Sequence, residues 1–183
     1  MNITNLLMNL TSDSLRILEV GNPLQAQLKL YYAQDEQTTR KYLLETVLPK
    51  FEEHQIIIID NKRTWTAEKL RIRTRIIIPN SREDLVRKIV ELKDYFSPRL
   101  KLILVDNFQY YFRDYEGKNQ KISNNQRSAS FLINLLKNYS MQGKDIILTG
   151  YRDPINHTRP LMEPLLLYYG IPLLRIRNSN LSE

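Results

Sequence analysis

A glycine and three residues after a short loop are the first candidates for chemistry in this sequence. Residues 15–28 are predicted to form a strand, a turn at Gly21, a loop and the start of a helix, in the order of a phosphate-binding P-loop. In the motif Gly-x-x-x-x-Gly-Lys-Ser/Thr, the lysine binds phosphates and the hydroxyl binds magnesium. Ala26, Gln27 and Leu28 occupy the positions of that Gly-Lys-Thr. The sequence therefore predicts a vestigial nucleotide site without the usual phosphate ligands.

Two lysines and one aspartate are the other candidates for a nucleotide site. Asp106 ends an apolar strand, and ligand-facing residues lie at the carboxyl ends of strands in open α/β sheets. Its carboxylate is suited either to magnesium binding or to structural hydrogen bonds, and the second interpretation is favoured. Lys62 follows another strand, but a protonated lysine cannot act as a general base near neutral pH. Lys29 is interpreted as a solvated helix residue rather than a phosphate ligand.

Other catalytic patterns have no support in the sequence. His54 and His157 lack the spacing of a zinc-binding HExxH motif, and no Gly-x-Ser-x-Gly elbow occurs. The chain has no cysteine, which excludes disulfides and thiolate chemistry. We therefore assign no catalytic residue and no metal ligand, and we expect no cofactor.

Basic residues near an aromatic residue are candidates for nucleic-acid binding. The chain has 27 Lys and Arg against 20 Asp and Glu, and its formal net charge of +7 favours polyanionic partners. Phosphate neutralisation combined with stacking on Trp65 would suit a single strand. A solvated surface with Trp65 in the core is the alternative. The basic residues and Trp65 lie together in residues 62–75. In this segment, the residues assigned to DNA binding are Lys62, Arg63, Arg71 and Arg73.

The elements that must position these residues alternate between strands and helices. Runs rich in Ile, Leu and Val predict strands that are covered on both faces. These runs are residues 15–20, 55–59, 75–78, 100–105, 145–148 and 173–176. Helices are predicted over residues 35–51, over residues 81–96 behind a Ser81 cap, and from a capping box at Ser123. The pattern predicts an α/β fold with a mostly parallel central β-sheet flanked by helices on both faces.

Length and composition are those expected of a single domain. We expect one domain over residues 1–183, with residues 1–14 and 178–183 loosely ordered. The longest uncharged apolar stretch, residues 164–174, is well short of the ~20 residues that span a bilayer, so no membrane partner is expected. The first residues lack the features of a secretory signal, which leads us to expect a cytoplasmic protein.

Two segments, residues 56–70 and residues 102–117, carry a resemblance to a known family, the RecA/RadA recombinase superfamily. Residues 56–70, with the sequence IIIIDNKRTWTAEKL, resemble the second core strand of that family and the short helix after it. Residues 102–117, with the sequence LILVDNFQYYFRDYEG, resemble its Walker B strand and the segment that leads to its first DNA-binding loop. Further similarities in the same order extend the resemblance over about residues 15–178. The chain is therefore similar to a RadA paralogue with a degenerate Walker A motif.

The resemblance implies a RecA-like core without ATPase chemistry. In active members the P-loop holds the phosphates and magnesium, and a glutamate positions water for attack. Lys62 occupies the position of that glutamate, and Gly150 and Tyr151 replace the Asn-Gln pair that senses nucleotide. These departures predict a pseudo-ATPase.

The resemblance also implies the position of two DNA-binding loops. The first corresponds to residues 113–121, for which an ordinary polar connection is the alternative interpretation. The second falls between residues 151 and 159 and is short, which argues against strand exchange by this chain alone. The residues implied in DNA binding are Arg113, Tyr115, Lys118, Lys121, Arg152 and Arg159.

The expected function is that of an accessory or mediator factor in homologous recombination and DNA repair. In this hypothesis the protein binds single-stranded DNA, and its protein partner is a RadA-type recombinase or another paralogue. One alternative is an enzyme that still binds and slowly hydrolyses ATP through Lys29, Lys62 and Asp106. The other is a protein-interaction scaffold that does not bind DNA.

Overall fold

Seven strands form one sheet in the computed structural model. The model describes residues 16–20, 28–52, 55–65, 74–112, 120–152, 160 and 162–177. The strands are β1 (Arg16–Val20), β2 (Leu28–Ala33), β3 (Ile56–Asp60), β4 (Arg75–Ile77), β5 (Leu102–Asp106), β6 (Asp145–Tyr151) and β7 (Leu173–Arg177). Their order in the sheet is β1-β7-β2-β6-β5-β3-β4. Strands β2 to β7 pair in parallel, and β1 pairs antiparallel with β7 at one edge.

Four α-helices and several tighter turns connect the described strands. The helices are α1 (Glu36–Tyr42), α2 (Arg82–Glu91), α3 (Gln120–Met141) and α4 (Glu163–Tyr168). Helix α1 continues through a π-helical segment, Leu43–Val47, and a 3-10 turn, Leu48–Lys50. Further 3-10 segments follow α2 at Leu92–Tyr95 and β5 at Phe108–Phe112. None of the helices in the described ranges is both long and apolar enough to cross a membrane.

Two apolar layers cover the two faces of the sheet. Alternate strand residues point to opposite faces, so Ile103 and Leu104 of β5 belong to different layers. Helices α2, α3 and α4 pack on one face, and α1 with its continuation packs on the other. The predicted α/β fold with a mostly parallel sheet and helices on both faces is therefore confirmed.

The prediction that residues 28 and 29 belong to a helix is wrong, because residues 28–33 form the central strand β2. Leu28, Leu30 and Tyr32 face the layer of α2 to α4, while Tyr31 faces the layer of α1. Strand β2 lies between β6 and β7, and five of its six residues are buried. Aromatic residues fit a pleated surface, and here this preference and burial prevail over the expected P-loop pattern. Lys29 is accordingly a strand residue, and its ammonium lies 5.9 Å from the centre of the Tyr31 ring.

Of the two predicted helix caps, Ser81 and Ser123, the structure confirms the first and contradicts the second. Ser81 caps α2 as predicted, since its hydroxyl accepts a hydrogen bond of 3.1 Å from the amide of Asp84. Helix α3 begins at Gln120, however, so Ser123 lies within its first turn and is not its cap. No helix-breaking residue separates Gln120 from Ser123, and the backbone hydrogen bonds extend upstream. Residues 1–14 and 178–183, predicted to be loosely ordered, lie outside the described residues.

Candidate functional site

The carboxyl ends of the central strands bring together a set of buried polar residues. Asp60 and Asp106 end the neighbouring strands β3 and β5 and are paired in register. Both are buried, with 0% and 4% of their surface exposed. Thr149 comes from β6, on the other side of β5, and Trp65 follows β3. We call Asp60, Trp65, Asp106 and Thr149 the edge cluster.

Asp106 is the centre of the edge cluster. The Thr149 hydroxyl donates to its Oδ1 atom, and the Trp65 indole Nε1 donates to its Oδ2 atom at 2.7 Å. The side-chain amide of Asn107 donates to the same Oδ2 atom at 3.2 Å. The guanidinium of Arg40, from α1, lies 3.9 Å from that oxygen. Both carboxylate oxygens therefore have donors from the chain itself.

Burial raises the pKa of Asp106, while the hydrogen bonds from Thr149 and Trp65 and the charge of Arg40 lower it. The neighbouring charge of Asp60 raises it further, and the net direction is upward. Desolvation is the largest cause because the carboxylate is buried in the sheet. These are the surroundings of a carboxylate held by structural hydrogen bonds.

Asp60 stabilises the turn after β3, residues 61–65, which places Trp65 next to Asp106. Its carboxylate accepts hydrogen bonds from the amides of Lys62 at 3.2 Å and Trp65 at 2.7 Å. The hydroxyl of Thr64 lies within hydrogen-bond distance of Asp60 and Asp106, at 3.3 and 3.4 Å. The Trp65 side chain is only 4% exposed and packs in the layer of α1. It is thus a core residue, and stacking of a base on its ring is excluded in this conformation.

Two asparagines close the turns behind the edge cluster. The side-chain amide of Asn61 donates to the backbone oxygens of Asp106 at 2.9 Å and Asn107 at 3.2 Å. The amide of Asn107 donates to the Thr149 hydroxyl at 2.8 Å. Asn107 has a φ of 50°, a left-handed conformation that asparagine tolerates better than most residues. The carboxyl edge is therefore tied together by contacts among β3, β5 and β6.

The first turn of α1 lies at the same edge of the sheet, directly after β2. Asp35 caps this helix, because its carboxylate accepts hydrogen bonds of 2.8 Å from both the amide and the hydroxyl of Thr38. Glu36 follows and forms an ion pair with the ammonium of Lys62. A helix amino terminus attracts anions through its free amides and its dipole. Here the chain supplies two carboxylates of its own at that position.

Gly150 follows Thr149 in β6, so a side chain at position 150 would point to the face of the sheet opposite the edge cluster. A Cβ atom at this position would lie 2.4 Å from Oε1 of Gln109, whose side chain is fully buried. Real Cβ contacts essentially never come that close. The side chain of Gln109 therefore occupies the space that any larger residue at position 150 would need.

The vestigial nucleotide site predicted from the sequence is only partly assembled. Lys62 and Asp106 lie at the same edge of the sheet, where Asp60 connects the two segments. Leu28 begins β2 at the opposite, amino edge, so the structure does not bring it to Lys62 and Asp106. Gly21, Ala26 and Gln27 lie outside the described residues. In the described ranges, no group of three or more His, Asp or Glu residues is arranged to hold a metal ion.

Few of the residues predicted to bind DNA can be located. Arg63 is exposed after β3, and its guanidinium donates to Asn80 at 2.7 Å. Lys62 pairs with Glu36, and Arg152 is half-buried at the end of β6. Lys121 lies in the first turn of α3. The residues outside the described ranges are Arg71, Arg73, Arg113, Tyr115, Lys118 and Arg159.

Several residues of the site were not predicted from the sequence. Thr149, Asn61 and Arg40 reach Asp106 or its backbone from elements that are distant in the chain. For Thr149 and Asn61 the sequence signal is a polar residue near the carboxyl end of an apolar strand, whereas Arg40 lies in α1 and has no such signal. Comparison of the sequence with models of known protein families and with curated proteins gave no match.

Proposed function

We propose that this protein is a RecA-like recombinase paralogue without ATPase activity. In this proposal it acts as an accessory or mediator factor in homologous recombination and DNA repair. It binds single-stranded DNA and docks a RadA-type recombinase or another paralogue, which helps the active filament to load. The resemblance of residues 56–70 and 102–117 to that superfamily is the basis of the family assignment.

The hydrogen bonding of the Asp106 carboxylate is the main observation that supports the absence of ATPase activity. Magnesium requires oxygen ligands in a near-octahedral arrangement. Both oxygens of Asp106 already accept hydrogen bonds, and the positive guanidinium of Arg40 lies 3.9 Å away. A cation at this carboxylate would have to displace Thr149 or Trp65 and approach Arg40. This arrangement supports a structural role for Asp106.

The first turn of α1 supports the same conclusion. The carboxylates of Asp35 and Glu36 lie where a P-loop helix would present free amides to a phosphate. The negative charge of Asp35 at that position would repel the phosphates of ATP. Lys62 neutralises Glu36, and its ammonium is therefore engaged within the protein. A binding function suits these residues better than hydrolysis does.

The positive charge of the chain supports DNA as the ligand. The net charge of +7 favours a polyanion, and Arg63 and Arg152 both follow strands at the carboxyl edge. Binding to single strands through charged side chains is sequence-tolerant and weakens with salt. These properties are those needed by a factor that assists a recombinase on many sequences.

A strand-exchange reaction driven by a RadA-type recombinase tests the mediator role. We expect the protein to increase the rate of strand exchange or the lifetime of the recombinase filament. The Lys118→Ala/Lys121→Ala variant should lose this effect, whereas a control that removes the exposed Lys50 and Lys93 should keep it. Unchanged strand exchange and filament lifetime with the wild type would show that the mediator role is wrong.

Calorimetry with ATP and magnesium tests the absence of nucleotide chemistry separately. We expect no binding heat with the wild type, because Asp35 opposes phosphates and Arg40 opposes cations at the carboxyl edge. Measurable binding followed by phosphate release would instead identify the protein as a residual ATPase.

A further inference from the structure

Three arginines lie on the face of the sheet that is opposite the edge cluster. In β7, Arg175 and Arg177 alternate with Leu174 and Ile176, which are buried in the layer of α1. Their side chains therefore point to the other face, as that of Leu173 does. Arg152 lies just after β6 and shares this face by the same alternation. The sequence alone predicts no role for Arg175 or Arg177.

Tyr32 connects these arginines. In the sheet it is paired with Arg175 of β7 on one side and with Gly150 of β6 on the other. Burial raises the pKa of Tyr32, while the charges of Arg175, Arg152 and Arg177 lower it. Glu163, at the start of α4, acts in the opposite direction. All three guanidinium groups therefore act on one buried phenol.

The arginines also act on one another. Burial lowers the pKa of Arg152, and the charges of Arg175 and Arg177 lower it further. From the strand spacing and the rise per residue, the Cα atoms of Arg152 and Arg175 lie about 12 Å apart, a separation at which both side chains can reach one anion. Like charges that act on one another and are partly shielded from water destabilise the protein unless a counter-charge is present.

In the described part of the chain these arginines have no paired carboxylate, although the charge of Glu163 acts on the same Tyr32. The Nε atoms of Arg152 and Arg175 are buried and have no hydrogen-bond partner. Among the described residues, no carboxylate forms a salt bridge with Arg152, Arg175 or Arg177. Arg152 and Arg175 are half-buried and Arg177 is exposed, and a charge that is partly removed from water without a partner is costly.

We propose that Arg152, Arg175 and Arg177, together with Tyr32, form a phosphate-binding site. The planar fork of a guanidinium matches the oxygens of a phosphate, and two or three such groups can share one anion. Tyr32 adds a hydroxyl donor at the centre of the group. The phosphate belongs either to a nucleic-acid backbone or to a small phosphate compound. If it belongs to DNA, the inference rests on the proposed function; if it is small, the site stands without that function.

Thermal unfolding with inorganic pyrophosphate tests the site without DNA. We expect pyrophosphate to raise the melting temperature of the wild type by several degrees relative to sodium chloride at equal ionic strength. Arg175→Gln and Arg177→Gln should each lose at least half of this increase. Arg99→Gln is the matched control, because it removes one exposed charge just before β5, at the amino edge of the sheet, and should respond as the wild type does.

Fluorescence anisotropy with a labelled single-stranded oligonucleotide tests the DNA source. We expect Arg175→Gln and Arg177→Gln each to weaken binding at least fivefold. Each should also reduce the slope of log K against log salt by about the amount that one phosphate contact contributes. Arg99→Gln should remain within twofold of the wild type. If Arg175→Gln does not fold, Arg177→Gln carries both tests, since Arg177 is exposed at the end of β7.

The combined results separate this inference from the proposed function. Pyrophosphate binding that depends on Arg175, without oligonucleotide binding, would support a small-phosphate site and contradict the DNA function. Oligonucleotide binding that is unchanged in both variants, with no pyrophosphate effect, would overturn the site and leave the DNA function standing. Absence of both ligands from the wild type would overturn both.

Discussion

Replacement of Trp65 by phenylalanine tests whether the indole holds the central carboxylate. The change keeps an aromatic ring in the layer of α1 but removes the Nε1 donor, which lies 2.7 Å from Oδ2 of Asp106. A hydrogen bond to a charged group contributes about 1.5–3 kcal/mol. The smaller ring also leaves a cavity that costs about 1 kcal/mol more. We therefore expect the free energy of unfolding to fall by about 3 kcal/mol.

The assay is urea or thermal unfolding, with Tyr139→Phe as the matched control. The Tyr139 hydroxyl is also buried, but it donates to the neutral backbone oxygens of Ile89 and Val90, at 3.1 and 3.2 Å. Its removal should cost about 1 kcal/mol. For a chain of this size the melting temperature should fall by about 6–12 °C for Trp65→Phe and by about 2–4 °C for the control. If Trp65→Phe costs no more than Tyr139→Phe, the indole does not hold Asp106.

Two further substitutions test the surroundings of the carboxyl edge. The raised pKa of Asp106 means that the folded protein keeps this proton to a higher pH than the unfolded chain. The stability of the wild type relative to Asp106→Asn should therefore rise as the pH falls from neutral towards the ordinary pKa of an aspartate. Parallel pH profiles in urea unfolding would contradict the upward direction of the pKa. Gly150→Ala should cost about 1–3 kcal/mol, since the new Cβ would lie 2.4 Å from Oε1 of Gln109. The same change in a Gln109→Ala background should cost less, and equal costs would exclude the clash.

Most of the sheet was predictable because its strands are buried on both faces. The uninterrupted apolar runs of β3 and β5 carry that signal directly. Strand β2 was missed, because Lys29 interrupts its apolar pattern and Gly21 before it suggested a P-loop followed by a helix. Its central position is set by pairing with β6 and β7, which lie more than 100 residues further along the chain. The local sequence around β2 gives no signal of this long-range strand pairing.

The site was predictable only where strand position determines it. Asp106 was identified because it ends a strand in an open α/β sheet. Its partners Trp65 and Thr149 are 41 and 43 residues away in sequence, and only the register of β3, β5 and β6 brings them together. No role for Arg175 or Arg177 is predictable from the sequence, because nothing in it shows which face of the sheet they share with Tyr32 and Arg152.

Binding of DNA without nucleotide is the central property of the proposed function. The direct test is a titration of fluorescent single-stranded oligonucleotide at several salt concentrations, with no ATP present. We predict micromolar or tighter binding that weakens steeply with salt and that falls in Lys118→Ala/Lys121→Ala but not in a Lys50→Ala/Lys93→Ala control. Absence of binding at low salt would contradict the proposed function and leave a protein-interaction scaffold as the better account.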